Sequence, residues 1–235
     1  MNHLIGNETL QALSQLNTCA VANAIETQDI RLRNEGFTDA SLRSRFPQLP
    51  AMLGFAITLR IRSASPPPKG HSYLDRADWW KHIEPLLLPH VMVIEDMDPQ
   101  PGRGAFIGEV HASILKALGC IGVVTNGAVR DLPEVEKMGF NLFSGNVSVS
   151  HAYAHIVEFG SPVQIAGLQI RPGDLLHGDQ HGIVRIPLEI ADKIPAIAAQ
   201  LRQRERAIIS YCRSSHFSAA ELPSIIEAGP NRPQP

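Results

Sequence analysis

Apolar residues recur along this chain with two different periods, and the changes of period mark its elements. Residues 8–27 (ETLQALSQLNTCAVANAIET) carry helical periodicity, with Asn17-Thr18 as a break or N-cap inside it. Residues 29–50 show no period, are rich in arginine and end in Pro47 and Pro50. From Met52 to Ile61 (MLGFAITLRI) the alternation predicts a strand. Ser63 to Gly70 (SASPPPKG) reads as a loop whose three successive prolines favour an extended polyproline path. Tyr73 to Leu88 reads as a helix ending near Pro89, and Val91 to Met97 (VMVIEDM) as a buried strand. Residues 98–107 form a glycine- and proline-bearing loop.

Val110, Ile114, Leu115 and Leu118 recur at helical spacing, so residues 109–118 are predicted helical, with Gly119 as C-cap. The β-branched run at Ile121, Val123 and Val124 reads as a buried strand, and Asn126-Gly127 as a turn. Asp131 with Pro133 predicts an N-cap and a helix to about Met138, stopped by Gly139. After Phe140 the chain turns β-rich. Short strands are predicted at Asn141–Phe143, His155–Phe159, Val163–Ile165, Leu168–Ile170, Leu175–His177 and Ile183–Ile186. Ala166-Gly167 reads as a hairpin turn, and Arg171–Asp174 and Gly178–Gly182 as further turns. Pro187 ends the strands, Leu188 to Tyr211 is helical again, and residues 229–235 read as a disordered tail. In the second half strands and helices do not alternate regularly. That argues against a doubly wound parallel sheet. The expected fold class is α/β, mixed and layered, with a barrel-like β core and helices packed on one side.

Composition narrows the function classes. A chain of 235 residues fits one core better than two. A formal net charge of −2 gives no support for nonspecific binding to nucleic acid or to an anionic membrane. No apolar run approaches the roughly 20 residues that span a bilayer. The start MNHLIGNETL lacks a basic segment followed by an apolar one, so no signal peptide is expected. Cys19, Cys120 and Cys212 are odd in number and widely spaced, which fits a reducing, cytoplasmic setting.

The stretch Gly108–Asp131 (GEVHASILKALGCIGVVTNGAVRD) carries the candidate chemistry. It runs from an acid at a helix start through a helix and a strand to a glycine turn ending in Arg-Asp. That order brings Glu109, Arg130 and Asp131 toward one place. Carboxylate oxygens suit a hard divalent cation, and the planar fork of Arg matches a substrate carboxylate. Gly108 permits close approach, and the N–H groups after it form an anion site. Each feature also has a plainer reading. Glu109 could complement the helix dipole, and Arg130-Asp131 could be a surface ion pair beside a cap. Elsewhere, His151 and His155 (HAYAH) have i, i+4 spacing but lack the metalloprotease Glu. His177, Asp179 and His181 cluster at a turn, where Asp commonly bonds its own backbone. Trp79-Trp80 would divide between core and surface. Neither GxGxxG nor a Walker loop occurs.

Three segments, GEVHASILKALGCIGVVTNGAVRD at 108–131, MGFNLFSGN at 138–146 and PGDLLHGDQHGIVRIP at 172–187, resemble the proteins related to the regulator of ribonuclease E activity A. That RraA-like family includes the class II 4-hydroxy-4-methyl-2-oxoglutarate aldolases. NTCAVANAIE at 17–26 is a weaker echo. The resemblance implies a swivelling β/β/α fold over residues 1–228, with 29–90 divergent and elongated. It implies a homotrimer or hexamer with sites between subunits. Asp131 would ligate Mg²⁺ or Mn²⁺ directly. Glu109 and Glu205, the latter from a neighbouring subunit, would hold metal-bound water. Arg130 would contact the keto acid, and the backbone of Gly108, Val110, His111 and Ala112 would receive its carboxylate. Glu109 stands where Asp is usual, and His111 where an aliphatic residue is usual. The implied activity is retro-aldol cleavage of a 4-hydroxy-2-keto acid to pyruvate, with oxaloacetate decarboxylation by the same enolate chemistry. Two rivals remain: a non-catalytic regulator that docks on an RNA-processing enzyme, and a related enolate-forming enzyme acting on another acid.

Overall fold

A computed structural model describes residues 5–68, 78–83, 86 and 89–227. The predicted break at Asn17 is a true cap. Asn17 accepts the Ala20 N–H at 2.8 Å and separates helix α1 (Asn7–Ser14) from α2 (Thr18–Glu26). Strand β2 (Met52–Arg62) follows the arginine-rich stretch, after a short β1 (Arg43–Ser44). Of the predicted helix at 73–88, α3 (Asp78–Ile83) is described and most of the remainder lies outside the described residues. The predicted tail at 229–235 also lies outside them.

Strand β3 (His90–Asp96) leads to β4 (Ala105–Ile107), a strand inside the segment read as loop. Then come α4 (Glu109–Ala117), β5 (Cys120–Val129), α5 (Leu132–Lys137) and β6 (Asn141–Val147). Strand β7 (His155–Phe159) precedes the hairpin β8 (Val163–Ile165) and β9 (Leu168–Ile170). Its turn residues Ala166 and Gly167 both have positive φ, the geometry of the tight hairpin expected there. β10 (Leu175–Asp179) and β11 (Gly182–Ile186) pair around a two-residue turn, and α6 (Ile194–Cys212) and α7 (Leu222–Glu227) follow.

Among the described residues nine strands form one mixed sheet, in the order β1-β6-β5-β3-β2-β10-β11, with β4 beside β5 and β7 beside β2. Residues 37–45 draw its two ends together. Phe37 bridges Val184 of β11, and the Thr38 N–H donates to the Ile183 carbonyl at 2.9 Å. A few residues on, Arg43 and Ser44 pair with β6 at the opposite edge. The result is a nearly closed, barrel-like sheet.

Alternate residues separate its faces. Val91, Val93, Val124 and Phe143 point inward, where Val163, Ile165, Leu168 and Ile170 of the β8–β9 hairpin cover them. Met92 and Ile94 point outward beneath Trp79, Phe106 and Leu115. A separate outer cluster joins Leu53, Leu175 and Val184 to Val21, Ile25 and Ile194 of α2 and α6. Helices therefore flank the sheet in two groups rather than one. Cys120 is buried at the start of β5, where desolvation pushes its thiol up to about 12.

Candidate functional site

Strands β4 and β5 are parallel neighbours, so the chain leaves both at the same end. The Arg130 N–H donates to the Ile107 carbonyl at 2.9 Å. Gly108-Glu109 and Arg130-Asp131 therefore emerge side by side. Asp131 adopts a left-handed conformation (φ 54°, ψ 40°). It stands at the N-cap position of α5, as expected, but its side chain makes no cap bond there. Its carboxylate instead caps α4. One oxygen accepts the Glu109 N–H at 3.1 Å and the other accepts Arg130 Nε–H at 3.0 Å. The approach requires a glycine: a Cβ on Gly108 would lie 2.4 Å from that carboxylate.

Burial pushes the Asp131 pKa up. The Arg130 bond, the Glu109 N–H and the charges of Arg130 and His151 outweigh it, so the carboxyl sits below its ordinary value and stays ionised. Arg130 uses Nε for this bond, not the terminal nitrogens that make a guanidinium fork.

The anion site at the helix start is narrower than the sequence implied. The Ala112 N–H donates to the Gly108 carbonyl at 2.9 Å, the first intrahelical bond, so Ala112 cannot receive a substrate carboxylate. The Glu109 N–H is taken by Asp131. Val110 follows in the first turn, with its side chain exposed. The His111 ring is buried and stacks on Phe106 at 4.8 Å. Burial, and then the nearby His151 charge, lowers its pKa to about 4. The ring is thus a neutral core group, and its departure from an aliphatic residue does not place an imidazole against substrate.

Glu109 is exposed beside Asp131. Glu205 is elsewhere. It lines an open cleft of about 800 Å³ with Asn17, Cys19, Pro50, Asp179 and Arg202, and no residue of 108–131 lines that cleft. One chain therefore unites Gly108, Glu109, Val110, Arg130 and Asp131 but not Glu205.

Near the site, at the start of β4, lies His151. Its i, i+4 spacing from His155 suggests half of a helical pair. It lies instead in the non-helical turn before β7, where Ala152 has φ 46°. Its Nδ1 contacts the Ala105 carbonyl at 2.7 Å, and its charge acts on both Asp131 and His111. No spacing in the sequence signals this placement, because it depends on β4, which the sequence did not reveal.

A second acidic cluster ends β3. Asp96 accepts bonds from the Gly102 N–H (2.8 Å), the Ser63 hydroxyl (3.1 Å) and the Asp98 N–H (3.1 Å). Asp98 accepts from the Ser63 and Ala64 N–H groups, both at 2.7 Å. Burial raises the Asp96 pKa and its backbone bonds only partly offset it. Asn126, read as part of a turn, lies within β5 beside this cluster. Its side chain accepts from the Asp96 N–H and donates to the Asp96 carbonyl, at 2.7 and 3.0 Å. The sheet register shifts between Thr125 and Ala128, so Asn126-Gly127 marks a bulge. Asp179 accepts the Thr18 N–H and both His181 donors, while His177 Nδ1 meets the Thr18 hydroxyl at 3.0 Å. That turn therefore docks α2. Trp79 is buried and Trp80 half-buried, as expected for adjacent tryptophans. Among the described residues no three His, Cys, Asp or Glu side chains group to hold a metal ion, and no helix is long and apolar enough to cross a membrane.

Comparison with known proteins follows the same lines. The RraA-like family model, described as Aldolase/RraA, matches residues 18–185. A Halalkalibacterium halodurans protein carrying the provisional name 4-hydroxy-4-methyl-2-oxoglutarate aldolase is 32% identical over 109 residues, or 44% of this chain and 52% of that protein. An uncharacterised Methanocaldococcus jannaschii protein is 31% identical over 94 residues, covering 40% of this chain and 45% of its own. The chain thus spans about half the length of the curated relatives it matches. Two solved structures share the fold. An uncharacterised Pseudomonas syringae protein superposes with a TM-score of 0.71 at 23% identity, covering 94% of this chain and 93% of its own. A Streptomyces coelicolor member of the RNase ES inhibitor RraA family gives 0.67 at 21%, covering 86% and 96%.

Proposed function

The chain belongs to the RraA-like family, and on that premise we propose that it is a divalent-metal-dependent lyase that releases pyruvate from 4-hydroxy-2-keto acids. One observation carries the reading: an ionised carboxylate and a guanidinium converge at the start of α4, where the carboxylate accepts the Glu109 N–H. Structural side chains are ordinarily saturated, and this carboxylate is still about one-third exposed.

Asp131 would hold Mg²⁺ or Mn²⁺. A single carboxylate fits such an ion, because Mg²⁺ keeps several waters and takes its remaining oxygens from substrate. When bound, the ion supplies a Lewis acid that stabilises the electrons released as the C3–C4 bond breaks. Arg130 offsets the charge that grows on the 2-keto oxygen. The Val110 and His111 N–H groups seat the substrate carboxylate on the positive end of α4. Glu109 orients water beside Asp131. Glu205 would do so in a second copy of the chain, because its own chain places it in a separate cleft. The same residues serve decarboxylation of oxaloacetate, which leaves the same enolate.

The rival is a regulator that binds an RNA-processing enzyme and turns nothing over. Its support is the fold shared with the Streptomyces RNase inhibitor relative. Pyruvate release from a panel of 4-hydroxy-2-keto acids and from oxaloacetate, with Mg²⁺ and then EDTA, separates the two. The lyase reading expects turnover that EDTA abolishes, and no turnover from any member would sink it. Mixing inactive Asp131→Ala subunits with inactive Glu205→Ala subunits should restore part of the activity. If Glu205→Ala alone stays fully active, the shared site is wrong.

A further inference from the structure

A metal ligand needs a fixed direction as well as a free lone pair. The backbone of Asp131 is held from both sides. The Arg130 N–H reaches the Ile107 carbonyl at 2.9 Å, and the Asp131 carbonyl accepts the Val135 N–H at 3.1 Å. The side chain keeps its own rotations, and two donors meet it: the Glu109 N–H at 3.1 Å and Arg130 Nε–H at 3.0 Å. They differ in stiffness. Arg130 is a long side chain, about one-third exposed. The Glu109 N–H belongs to the backbone of α4, which Ala112 and Leu115 anchor from buried positions. The rigid reference for the carboxylate is therefore the helix start.

The same turn supplies the room. Gly108 has ordinary extended backbone (φ −138°, ψ −164°), so its conformation does not demand glycine. Space does: a Cβ there would lie 2.4 Å from Asp131 Oδ2 and 3.0 Å from Arg130 Cγ. Each carboxylate oxygen accepts one bond and keeps acceptor capacity for a ligand.

We propose that Gly108 and the Glu109 N–H are positioning groups for Asp131, one giving the gap and the other the bond that aim its carboxylate at the divalent ion; the role rests on the metal assignment of the lyase reading above. Glu109 then acts through its main chain on Asp131, separately from anything its carboxylate does with water. An opposite effect is conceivable, because a hydrogen bond draws charge from a carboxylate and so weakens its hold on a cation. The sign of the change in metal affinity decides between them. Positioning predicts weaker binding when the bond is removed, and charge withdrawal predicts tighter binding.

Glu109→Pro removes the bond. Glu109 is the first residue of α4, where the φ of proline fits and its missing N–H breaks no intrahelical bond. Gly108 already has the extended backbone that a residue before proline prefers. Glu109→Ala lacks the same carboxylate and keeps the N–H, so comparing the two variants isolates the bond. Mn²⁺ binding to the metal-free protein, measured by calorimetry, should be about 10–100-fold weaker in Glu109→Pro than in Glu109→Ala, the usual loss when a partner of a ligating group is removed. Gly108→Ala should weaken Mn²⁺ binding by the same order with Asp131 intact, because the tip of a partly exposed side chain gives way before backbone does. Thermal midpoints of all three variants should stay near wild type. Equal affinity in the two Glu109 variants, tighter binding by Glu109→Pro or wild-type affinity in Gly108→Ala would each overturn the assignment. A wild-type protein that binds no Mn²⁺ overturns the metal site and this role together. One that binds Mn²⁺ and releases no pyruvate defeats the lyase reading alone, and the variants still decide the positioning.

Discussion

Two acidic sites close two neighbouring strands, and they are built in opposite ways. At the end of β3, Asp96 is buried and three donors saturate its carboxylate. At the end of β5, Asp131 keeps about a third of its side chain exposed and takes one backbone N–H and one guanidinium. Burial raises the first pKa, and positive neighbours lower the second despite burial. The number of acids is therefore a poor guide to chemistry. The β3 end has two carboxylates within one loop and spends them on Ser63, Ala64 and Gly102, shaping the segment that leads into β4. The β5 end has one, with lone pairs left for a ligand. Fixing a loop takes saturated acceptors, and binding an ion takes unsaturated ones.

The contrast can be broken most sharply at Asp131. Asp131→Ala should abolish EDTA-sensitive pyruvate release while the thermal midpoint moves little, because a partly exposed carboxylate contributes little to stability. Retained activity would reduce Asp131 to a cap for α4. Next in size, Arg130→Lys keeps the charge and loses the planar fork. Its kcat should fall about 10²–10³-fold, the usual loss when a donor to a developing oxyanion is removed. Kinetics equal to wild type would place Arg130 away from substrate.

Asp96→Ala should do the reverse. It strands the Gly102 and Asp98 N–H groups, at a cost of about 1–3 kcal/mol for a buried unpaired group. Urea unfolding should show that loss. If stability is unchanged and only catalysis falls, Asp96 belongs to the site and the division fails. The smallest effect concerns His111. Its folded pKa of about 4 lies below the unfolded value near 6.5, so between those pH values the unfolded chain binds a proton that the native ring refuses. Stability is complete above about pH 6.5 and falls as pH drops toward 4, by up to about 3 kcal/mol. Stacked on Phe106, a Leu at this position should flatten that slope; an unchanged slope between pH 6.5 and 4 would assign the acid sensitivity elsewhere.

Much of the candidate site was legible because its parts are local. Gly108, Glu109, Arg130 and Asp131 sit at the ends of one helix and one strand with plain periodicity, and such ends are readable from sequence. What escaped depends on distant partners. Asn126-Gly127 has turn chemistry, yet β5 continues through it because Asp96 of the next strand satisfies the Asn126 amide. Asp131 looks like a cap for the helix it precedes but caps the one before it, across the sheet. The family model begins at Thr18 and passes through residues 29–90, the part that looked divergent. The stretch 37–45, without periodicity of its own, proved to join the sheet's edges, since its order comes from β6 and β11 rather than from its own sequence.

That joining has a temporal side. Phe37 meets Val184 across 147 residues of chain. A ribosome delivers residues in order, at about 5–20 per second. Residues 37–45 must then wait about 7–30 seconds, unpaired, until β11 has emerged. For that interval the edges of the sheet stand open, and open edges recruit other strands. The waiting stretch carries Arg31, Arg33, Arg43 and Arg45 within or beside it. Charged side chains beside an open edge disfavour pairing with other strands, so the segment that fastens the finished sheet also blunts its edge while the chain is unfinished.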